Sequence, residues 1–557
     1  MNNCADTIYN SITKKDIKKL FLIGGIIGIA VFLLCYSWKV LDVTYDQWLL
    51  SGEDISQHYI GWKFYRASDW HIPVGQIDGM LTPMRTNIVF TDSIPIFAIF
   101  FKLISPILPG TFQYFGIWGC LSYFLMGGIS ALIIRKATRN QWLCYIGAGI
   151  MCFSPYIFQR MYSHTALAGH WIILMALAIW IYRPWFSTFK KKVYAWGSLL
   201  IIGSLVHIYF VPMIMIFMFG FCLQDLITNE GWKEDLLFAP LVVGIDLVVL
   251  YGVGAFEKTA ALQELGLGLY SANINSLFNG DKCSPYLPAL PRFPEQHEGF
   301  GYLGFGIIFL LGVATATSIV YKIWRLWKKE KSETLREKAA FVISMTIVIT
   351  ISFILAWSPK IVFGTKVIFE IEYPDFIIKL LSIFRASGRF IWCVGYILMI
   401  FSIMIVCRYL KPIAAGIIIG LALMAQIADM QPLIRTRKNL TNAEKQFDSM
   451  QSKEWETIIA GKEGIVVMPH NYIKVTYGIR AAYEMGNFAV DHGLVVNYFP
   501  VARADEDRLN LLDNDYAYSL LNKNGNKYVY ILDTEERASE YDLKIYHIDG
   551  FIVGIGE

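Results

Sequence analysis

Apolar runs of about 17–25 residues recur along this chain and constrain its fold more than any other feature. Each run, as a helix, is long enough to cross a hydrocarbon core of about 30 Å. Hydrophobic residues make up 55% of the 557 positions and charged residues only 17%, which argues against a soluble protein. We therefore predict a mainly α-helical, polytopic membrane protein.

The apolar pattern predicts about eleven transmembrane helices, and basic residues set their direction. Lysines between positions 14 and 19 precede the first span, so the positive-inside rule places the N-terminus in the cytoplasm. Residues 195–223 are interpreted as two spans that meet near His207, because the basic run 322–331 then lies inside. The predicted spans are 20–38, 111–134, 142–156, 171–182, two within 195–223, 237–256, 302–321, 341–357, 390–406 and 413–430.

This topology places three long loops on the outer side of the plasma membrane: 39–93, 257–300 and 358–388. The C-terminal region lies on the same side and changes character, because its hydropathy falls and short strand-like runs appear at 464–469, 528–533 and 551–556. The chain is thus predicted to divide into a transmembrane domain, residues 1–430, and a small extracytoplasmic α/β domain, residues 431–557.

Cysteine usage and acidic residues give little indication of a metal or cofactor. Most of the nine cysteines lie inside apolar runs and none shows CxxC spacing, which argues against disulfides and zinc. Carboxylates at 53, 54, 69, 78 and 92 could form an oxygen site for Mg²⁺ or Mn²⁺, but their spacing does not require one. We predict no cofactor, no metal ligands and no nucleic-acid partner.

The polar stretch Ser51–Pro95 is the candidate site, because it brings charged and aromatic residues to a membrane surface. Glu53 and Asp54 start a predicted helix whose apolar face carries Ile55, Tyr59, Trp62 and Tyr65. Two interpretations stay open for the acidic pair. Carboxylates at a helix N-terminus stabilise its dipole, and a carboxylate within reach of an attacking hydroxyl can act as a general base.

The acidic pair, the aromatic helix and the sequence Ser-Asp-Trp-His-Ile-Pro at 68–73 resemble the first outer loop of GT-C-fold glycosyltransferases. These membrane enzymes take sugars from polyprenyl-phosphate donors. The resemblance implies that Asp54, or Glu53, is the catalytic base. Where the aminoarabinose-type enzymes carry Lys-Pro-Pro, this chain has Thr-Asp-Ser-Ile-Pro at 91–95, which makes Asp92 a second acidic candidate. The whole pattern is similar to bacterial GT-C-like membrane proteins with no assigned substrate.

A polyprenyl-phosphate donor needs cations, and arginine can bind two phosphate oxygens at once. Arg385 and Arg389, in the sequence FRASGRF at 384–390, are predicted to bind the phosphate together with Arg160. The alternative for the first two is anchoring at the membrane surface. The residues predicted to contact substrate are His58, Trp62, Tyr65 and His164. An aromatic-belt position is the alternative for His58.

The predicted function is sugar transfer from a polyprenyl-phosphate donor to a cell-envelope glycan, lipid or wall polymer at the outer membrane face. Its partners are therefore membrane lipid, the lipid-linked donor and a glycan or lipid acceptor. Three alternatives stay open: a transporter or flippase of lipid-linked sugars, a non-catalytic scaffold, and an enzyme that transfers a phospho-group. Charges confined to loops argue against a transporter.

Overall fold

The structure is a computed structural model that describes residues 14–51, 54–257, 267–327, 335–443, 447, 450–501, 506–521 and 526–556. Glu53, one of the predicted catalytic acids, lies outside the described residues. The described N-terminal region is mainly helical. Its helices are Lys14–Cys35 (α1), Asp54–Ala67 (α2), Pro95–Leu103 (α3), Phe115–Arg135 (α4), Gln141–Cys152 (α5), Pro155–Arg160 (α6), Trp171–Ile181 (α7), Phe189–Val206 (α8), Phe210–Thr228 (α9), Trp232–Val253 (α10), Phe305–Trp327 (α11), Leu335–Trp357 (α12), Asp375–Ser382 (α13), Ile391–Tyr409 (α14), Pro412–Asp429 (α15) and Gln431–Leu440 (α16).

Eight helices in the described part of the chain are long and apolar enough to cross a membrane, so the fold is mainly helical and compatible with the predicted membrane protein. The predicted count of about eleven is not confirmed. Helix α5 has 12 residues and α7 has 11, so each extends less than about 20 Å. Helix α8 has 18 residues but begins with three lysines at 190–192. The eight segments are Lys14–Cys35, Phe115–Arg135, Phe210–Thr228, Trp232–Val253, Phe305–Ile323, Arg336–Trp357, Ser387–Tyr409 and Pro412–Asp429.

Small residues allow the first two of these helices to pack closely. Helix α1 lies along α4, with Gly24 facing Gly127. A Cβ atom added to Gly24 would lie 2.6 Å from the carbonyl oxygen of Gly127, a distance that no side chain tolerates. Close backbone approach through glycines is a common way for helices to associate where no hydrophobic driving force exists between them.

The chain breaks between α8 and α9, as the sequence predicts near His207. Helix α8 ends at Val206, and α9 begins at Phe210. The backbone N–H of Tyr209 donates to Nδ1 of His207 at 3.2 Å, so the imidazole stabilises the bend. Helix α3, with nine residues, is too short to cross the membrane.

The three long loops meet at one end of the helical bundle. Antiparallel hairpins form in the first loop, from Gln76–Leu81 (β1) and Met84–Asn87 (β2), and in the third, from Lys360–Phe363 (β3) and Lys366–Glu370 (β4). Nε2 of Gln76 donates to Glu257 at 2.6 Å, and the N–H of Ile274 donates to the carbonyl oxygen of Val362 at 2.9 Å. The first loop therefore contacts the second, and the second contacts the third.

The C-terminal region forms the predicted α/β domain around one five-stranded sheet. Its strands run in the order β6-β5-β7-β9-β8, with β5 parallel to β6 and β7, and β9 antiparallel to β7 and β8. Strands β5, β7 and β9 confirm the three runs that the sequence indicates. The elements are Glu454–Ile458 (α17), Gly464–Met468 (β5), Tyr472–Tyr477 (α18), Ile479–Asp491 (α19), Val495–Val496 (β6), Glu506–Leu521 (α20), Tyr528–Leu532 (β7), Glu535–Glu540 (α21), Lys544–Ile548 (β8) and Phe551–Ile555 (β9).

The C-terminal domain rests on the first loop. The backbone N–H of Thr82, in the turn between β1 and β2, donates to the carbonyl oxygen of Val496 at 2.8 Å. On α2, Gln57 donates to the carbonyl oxygen of Pro500, and Nζ of Lys63 lies 2.5 Å from a carboxylate oxygen of Asp491. The domain is thus held against the same helix that carries Asp54.

Candidate functional site

A group of ionisable side chains lies where the three loops meet, and we call it the carboxylate–histidine cluster. Helix α2, the turn before α3, the end of α6 and the segment after it, the break between α8 and α9, and the segments before α11 and α14 all contribute. Its members are Asp54, His58, Asp92, Arg160, His164, His207, Glu298 and Arg389.

Asp54 is the first residue of α2, where its carboxylate complements the helix dipole. Its Oδ2 also lies 3.3 Å from Nε2 of His164, a residue 110 positions away in the sequence. The Asp54 side chain is 45% exposed, so it can contact both the cluster and a molecule from outside. Helix capping and contact with the cluster therefore coexist at this residue.

Asp92 is held in position by an unusual backbone segment. Both Asp92 and Ile94 adopt the left-handed conformation, with φ of 51° and 54°, which costs energy for side chains other than glycine. The hydroxyl of Ser93, between them, donates to the carbonyl oxygen of His58 at 2.6 Å and ties this turn to α2. Oδ1 of Asp92 then lies 3.3 Å from Nε2 of His207.

Burial and neighbouring charges shift the pKa of Asp92 in opposite directions. Burial disfavours the carboxylate, but the adjacent imidazoles of His207, His58 and His164 favour it more strongly. The net effect holds the pKa of Asp92 well below its ordinary value, so Asp92 is ionised across the physiological range. An ionised Asp92 can accept a hydrogen bond or bind a cation.

His58 is fully buried, and neither of its ring nitrogens has a hydrogen-bond partner among the described residues. Burial lowers the pKa of His58 to about 4, against a weaker opposite effect of Asp92, so the imidazole is neutral at pH 7. A buried polar group without a partner costs free energy, and native structures contain few of them. His58 therefore occupies a position that a hydrogen bond or a ligand would stabilise.

Glu298 joins two arginines that are 229 residues apart in the sequence. Its Oε2 accepts from Nη2 of Arg160 at 2.8 Å and from Nε and Nη2 of Arg389, both at 2.9 Å. Burial opposes ionisation, but the two guanidiniums hold the pKa of Glu298 well below its ordinary value. Aromatic rings support the guanidiniums, because Arg160 lies over Trp392 at 5.3 Å and Arg389 over Tyr209 at 4.5 Å.

His164 connects the two halves of the cluster. Its Nε2 lies 3.3 Å from Asp54 and 3.7 Å from Oε1 of Glu298. Burial and the positive charges of Arg160 and Arg389 hold the pKa of His164 well below its ordinary value. A neutral imidazole between two carboxylates can accept or relay a proton, or bind a metal ion through a ring nitrogen.

The structure brings together most of the residues that the sequence singles out, but not all of them. Trp62 and Tyr65 are buried, and they donate to the carbonyl oxygens of Phe112 and Val74 at 2.9 and 2.7 Å. These two side chains hold α2 in place, and their role as substrate contacts stays a prediction. Arg385 is exposed. The residues brought together are Asp54, His58, Asp92, Arg160, His164 and Arg389.

Sequence reasoning missed Glu298 and gave His207 only the role at the bend. Glu298 follows His297 in a Pro-rich loop, and its partners lie 138 and 91 residues away, so no local pattern indicates their contact. His207 has a signal that could have been used. A single histidine at a break between two apolar runs lies at an end of the bundle, and here it is the end where the three loops meet.

Three cluster members are arranged in a way that suits a metal ion. One ligand atom each from His58, Asp92 and His164 lies within 4.8 Å of the other two. The chemistry available at the cluster thus includes an accessible carboxylate, neutral imidazoles, buried guanidiniums and a potential cation site. These are groups that remove protons and stabilise anions.

Comparison with protein-family models gives two matches. A model described as "Domain of unknown function (DUF6311)" matches residues 25–431, which include every member of the cluster. A model described as "DUF6311 C-terminal domain" matches residues 454–556. No curated protein matches the chain. Since the first match covers well over half of the sequence, the chain belongs to the DUF6311 family.

Proposed function

We propose that this protein is a GT-C-type membrane glycosyltransferase that takes a sugar from a polyprenyl-phosphate donor. The acceptor is a glycan, lipid or wall polymer of the cell envelope, and the reaction takes place on the extracytoplasmic face. One observation carries the proposal. The carboxylate that the sequence singles out as a base, Asp54, is linked through His164 and Glu298 to Arg160 and Arg389, two of the predicted phosphate-binding cations.

The chemistry of these side chains suits a displacement at a sugar carbon. The acceptor hydroxyl attacks the anomeric carbon, the bond from that carbon to the phosphate oxygen breaks, and polyprenyl phosphate leaves. Asp54, which is partly exposed, removes the hydroxyl proton, and the neighbouring His164 orients the carboxylate. Preorganised cations stabilise the charge that develops on the leaving phosphate.

The arginines have capacity for a phosphate in addition to Glu298. Nε of Arg160 is buried and has no hydrogen-bond partner among the described residues. Two guanidiniums share the single carboxylate of Glu298, which leaves an excess of positive charge at that point. Arg385, four residues before Arg389, is exposed and can meet a phosphate that arrives from the membrane surface.

The proposed orientation follows from basic residues at the opposite end of the bundle. Three lysines at 190–192 begin α8, whereas His207 follows its end. Under the positive-inside rule, the lysine end faces the cytoplasm and the loop end faces outward, together with the C-terminal domain that rests on it. Helices α5, α7 and α8 complete the proposed eleven crossings, because a shorter helix can cross where the bilayer thins around a bundle.

A transporter of lipid-linked sugars is the second candidate, and one observation favours it. Asp246 lies within α10, one of the eight candidate spans, where it is buried and accepts from the hydroxyl of Ser204. Most charged residues of this chain are predicted to lie in loops, and this carboxylate is an exception. An ionisable residue inside a span often marks a transport path.

The experiment compares the wild type with Asp54→Asn in a host that lacks the gene, with Asp69→Asn as the matched control. Asp69 is an exposed acid in the same loop. Envelope glycans are followed by mass spectrometry, and membrane levels of each variant by immunoblot. We expect Asp54→Asn to lower transfer by at least about 100-fold, since positioned bases contribute 10²–10⁴. If Asp54→Asn transfers sugar as well as the wild type, Asp54 is not the catalytic base. If no glycan depends on the wild type, the enzyme proposal fails and the transporter moves ahead.

A further inference from the structure

We propose that His58, Asp92 and His164 form a binding site for a divalent transition-metal ion of the Zn²⁺ type. The proposal rests on the geometry of these side chains and does not depend on sugar transfer. One potential ligand atom from each residue lies within 4.8 Å of the other two. Ligand bonds of about 2.0–2.2 Å place donor atoms roughly 3–4 Å apart, so small side-chain adjustments close the site.

An independent observation points to a ligand at this position. His58 is fully buried, and both of its ring nitrogens lack hydrogen-bond partners among the described residues. Buried polar groups almost always have a partner, so an orphaned imidazole beside an ionised carboxylate indicates that something binds there. A neutral imidazole offers a nitrogen lone pair to a metal ion, and neither nitrogen of His58 is engaged by another described residue.

The comparison with His170 shows why the neighbours matter. His170 is also fully buried, and its ring nitrogens also lack partners among the described residues. Its surroundings are the aromatic rings of Tyr156, Trp392 and Tyr396, with ring centroids 4.7–6.2 Å away. A metal ion needs several convergent donors, and only His58 has a carboxylate and a second imidazole within reach.

Further residues orient two of the three ligands. His207 lies 3.3 Å from Oδ1 of Asp92, and Asp54 lies 3.3 Å from Nε2 of His164. Carboxylate–histidine pairs are typical of metal centres: Asp54 would fix the ring of His164 and raise its basicity, and His207 would fix the orientation of the Asp92 carboxylate. The turn that holds Asp92 is fixed in turn by the bond from Ser93 to the backbone of α2.

The donor set selects the class of ion. Two imidazoles and one carboxylate suit Zn²⁺ and similar ions, whereas Ca²⁺ and Mg²⁺ prefer oxygen donors alone. The charges agree, because three carboxylates and two guanidiniums leave the cluster with an excess of negative charge when its imidazoles are neutral. Three protein ligands would leave a coordination position open, as in catalytic zinc sites, and a phosphate oxygen could occupy it.

The test measures metal binding directly in the purified full-length protein. The chain is isolated with a tag that lacks histidine, stripped with EDTA, exposed to Zn²⁺ and passed over a desalting column. Zinc is then counted by mass spectrometry. We expect one ion per chain for the wild type, and affinity at least about tenfold weaker for His58→Gln and for Asp92→Asn. The matched control is His71→Gln, because His71 also pairs with an acid, Asp78, at 2.5 Å.

Two further readouts keep the result clear if a variant folds poorly. X-ray absorption at the zinc edge of the wild type should show two imidazole ligands, and added Zn²⁺ should raise its unfolding temperature after EDTA treatment. The proposal is overturned if the wild type retains no zinc, if all four proteins retain it equally, or if the spectrum shows no imidazole. None of these readouts involves glycan transfer, so the metal site and the proposed function can fail separately.

Discussion

Two groups of buried charges lie about 22 Å apart along α8, at opposite ends of the helical bundle. One is the carboxylate–histidine cluster. The other, which we call the Lys192 cluster, consists of Arg183, Lys192, Asp225, Glu230 and Asp235. In the Lys192 cluster every charged group faces an opposite charge: Lys192 contacts both aspartates, and Arg183 contacts Asp225 and Glu230.

The carboxylate–histidine cluster is paired less completely. Both nitrogens of His58 and Nε of Arg160 lack partners among the described residues, and Asp54 is accessible from outside. Burial by itself does not distinguish the two groups, since both contain side chains with little exposure. In the Lys192 cluster, the buried side-chain atom that lacks a partner among the described residues is Oδ2 of Asp235, so the two groups differ in the amount of unused bonding capacity. Paired charges stabilise the fold, whereas donors and acceptors without hydrogen-bond partners beside an accessible carboxylate are typical of a ligand-binding site.

The largest effect on stability is expected at the Lys192 cluster. Lys192→Met leaves Asp225 and Asp235 buried without their shared cation, which should destabilise the protein by about 3–5 kcal/mol. Unfolding in mixed micelles measures the change, and Lys191→Met, at the exposed neighbouring position, is the control. The protein that does fold should keep the proposed zinc binding and the proposed transfer activity. A loss of either in folded Lys192→Met would break the distinction between the two clusters.

Glu298→Gln should cost somewhat less stability, about 2–3 kcal/mol, because the amide still accepts a hydrogen bond and aromatic rings support both arginines. In contrast to Lys192→Met, it should also reduce transfer per folded molecule, since Arg160 and Arg389 lose the carboxylate that positions them. Glu295→Gln, an exposed acid in the same turn, is the control. Equal transfer by the two variants would mean that Glu298 serves the fold alone.

The pH dependence of stability provides a further test of His58, carried out in EDTA. Burial lowers the pKa of His58 from 6.5 to about 4. Between these two pH values the unfolded chain binds a proton at His58 that the folded chain does not bind. His58 therefore does not lower the free energy of unfolding above pH 6.5, and the free energy of unfolding falls as the pH drops from 6.5 toward 4. The loss amounts to about 3 kcal/mol in total.

His58→Gln should remove this part of the slope between pH 6.5 and 4. Asp92 and His207 face His58, and their charges act against each other on its pKa, so burial remains the main cause. Unfolding curves at pH 7 and pH 4.5 measure the difference. Identical pH profiles for the wild type and His58→Gln would show that His58 already has a partner, and would weaken the argument for a ligand.

The sequence predicts the local part of this architecture well. The helix face with Ile55 and Tyr59 is buried, the bend at His207 is present, and the three strand-like runs become strands β5, β7 and β9. These features depend on periodicity and on residues that are near each other in the chain. The predicted count of about eleven spans is not confirmed, because hydropathy does not show where a helix stops: α5 ends at Cys152, four residues before the apolar run does.

The site is predictable only in part, for a different physical reason. Asp54 and Arg389 can be selected individually, because carboxylates at a helix start and arginines before a span have recognisable surroundings. Asp54 is connected to Arg389 through His164 and Glu298, and this connection depends on how the loops fold back over the bundle. His58 illustrates the same limit, because the sequence shows an imidazole on a helix, and only the packing shows that both nitrogens are buried without partners.

The smallest effect is expected where a charged pair lies at the surface. Lys63 contacts Asp491 of the C-terminal domain at 2.5 Å, but the aspartate side chain is 48% exposed, so water screens the pair. Lys63→Met should cost about 0.2–1 kcal/mol, little more than Lys474→Met at an exposed position in α18. The C-terminal domain should stay against α2, because the backbone hydrogen bond from Thr82 to Val496 remains. Limited proteolysis should therefore cut the variant no faster than the wild type. Release of the domain by this single change would mean that charge, rather than backbone pairing and buried apolar contacts, holds it over α2. The solvent exposure of a charged pair would then no longer predict how much that pair contributes to the stability of this protein.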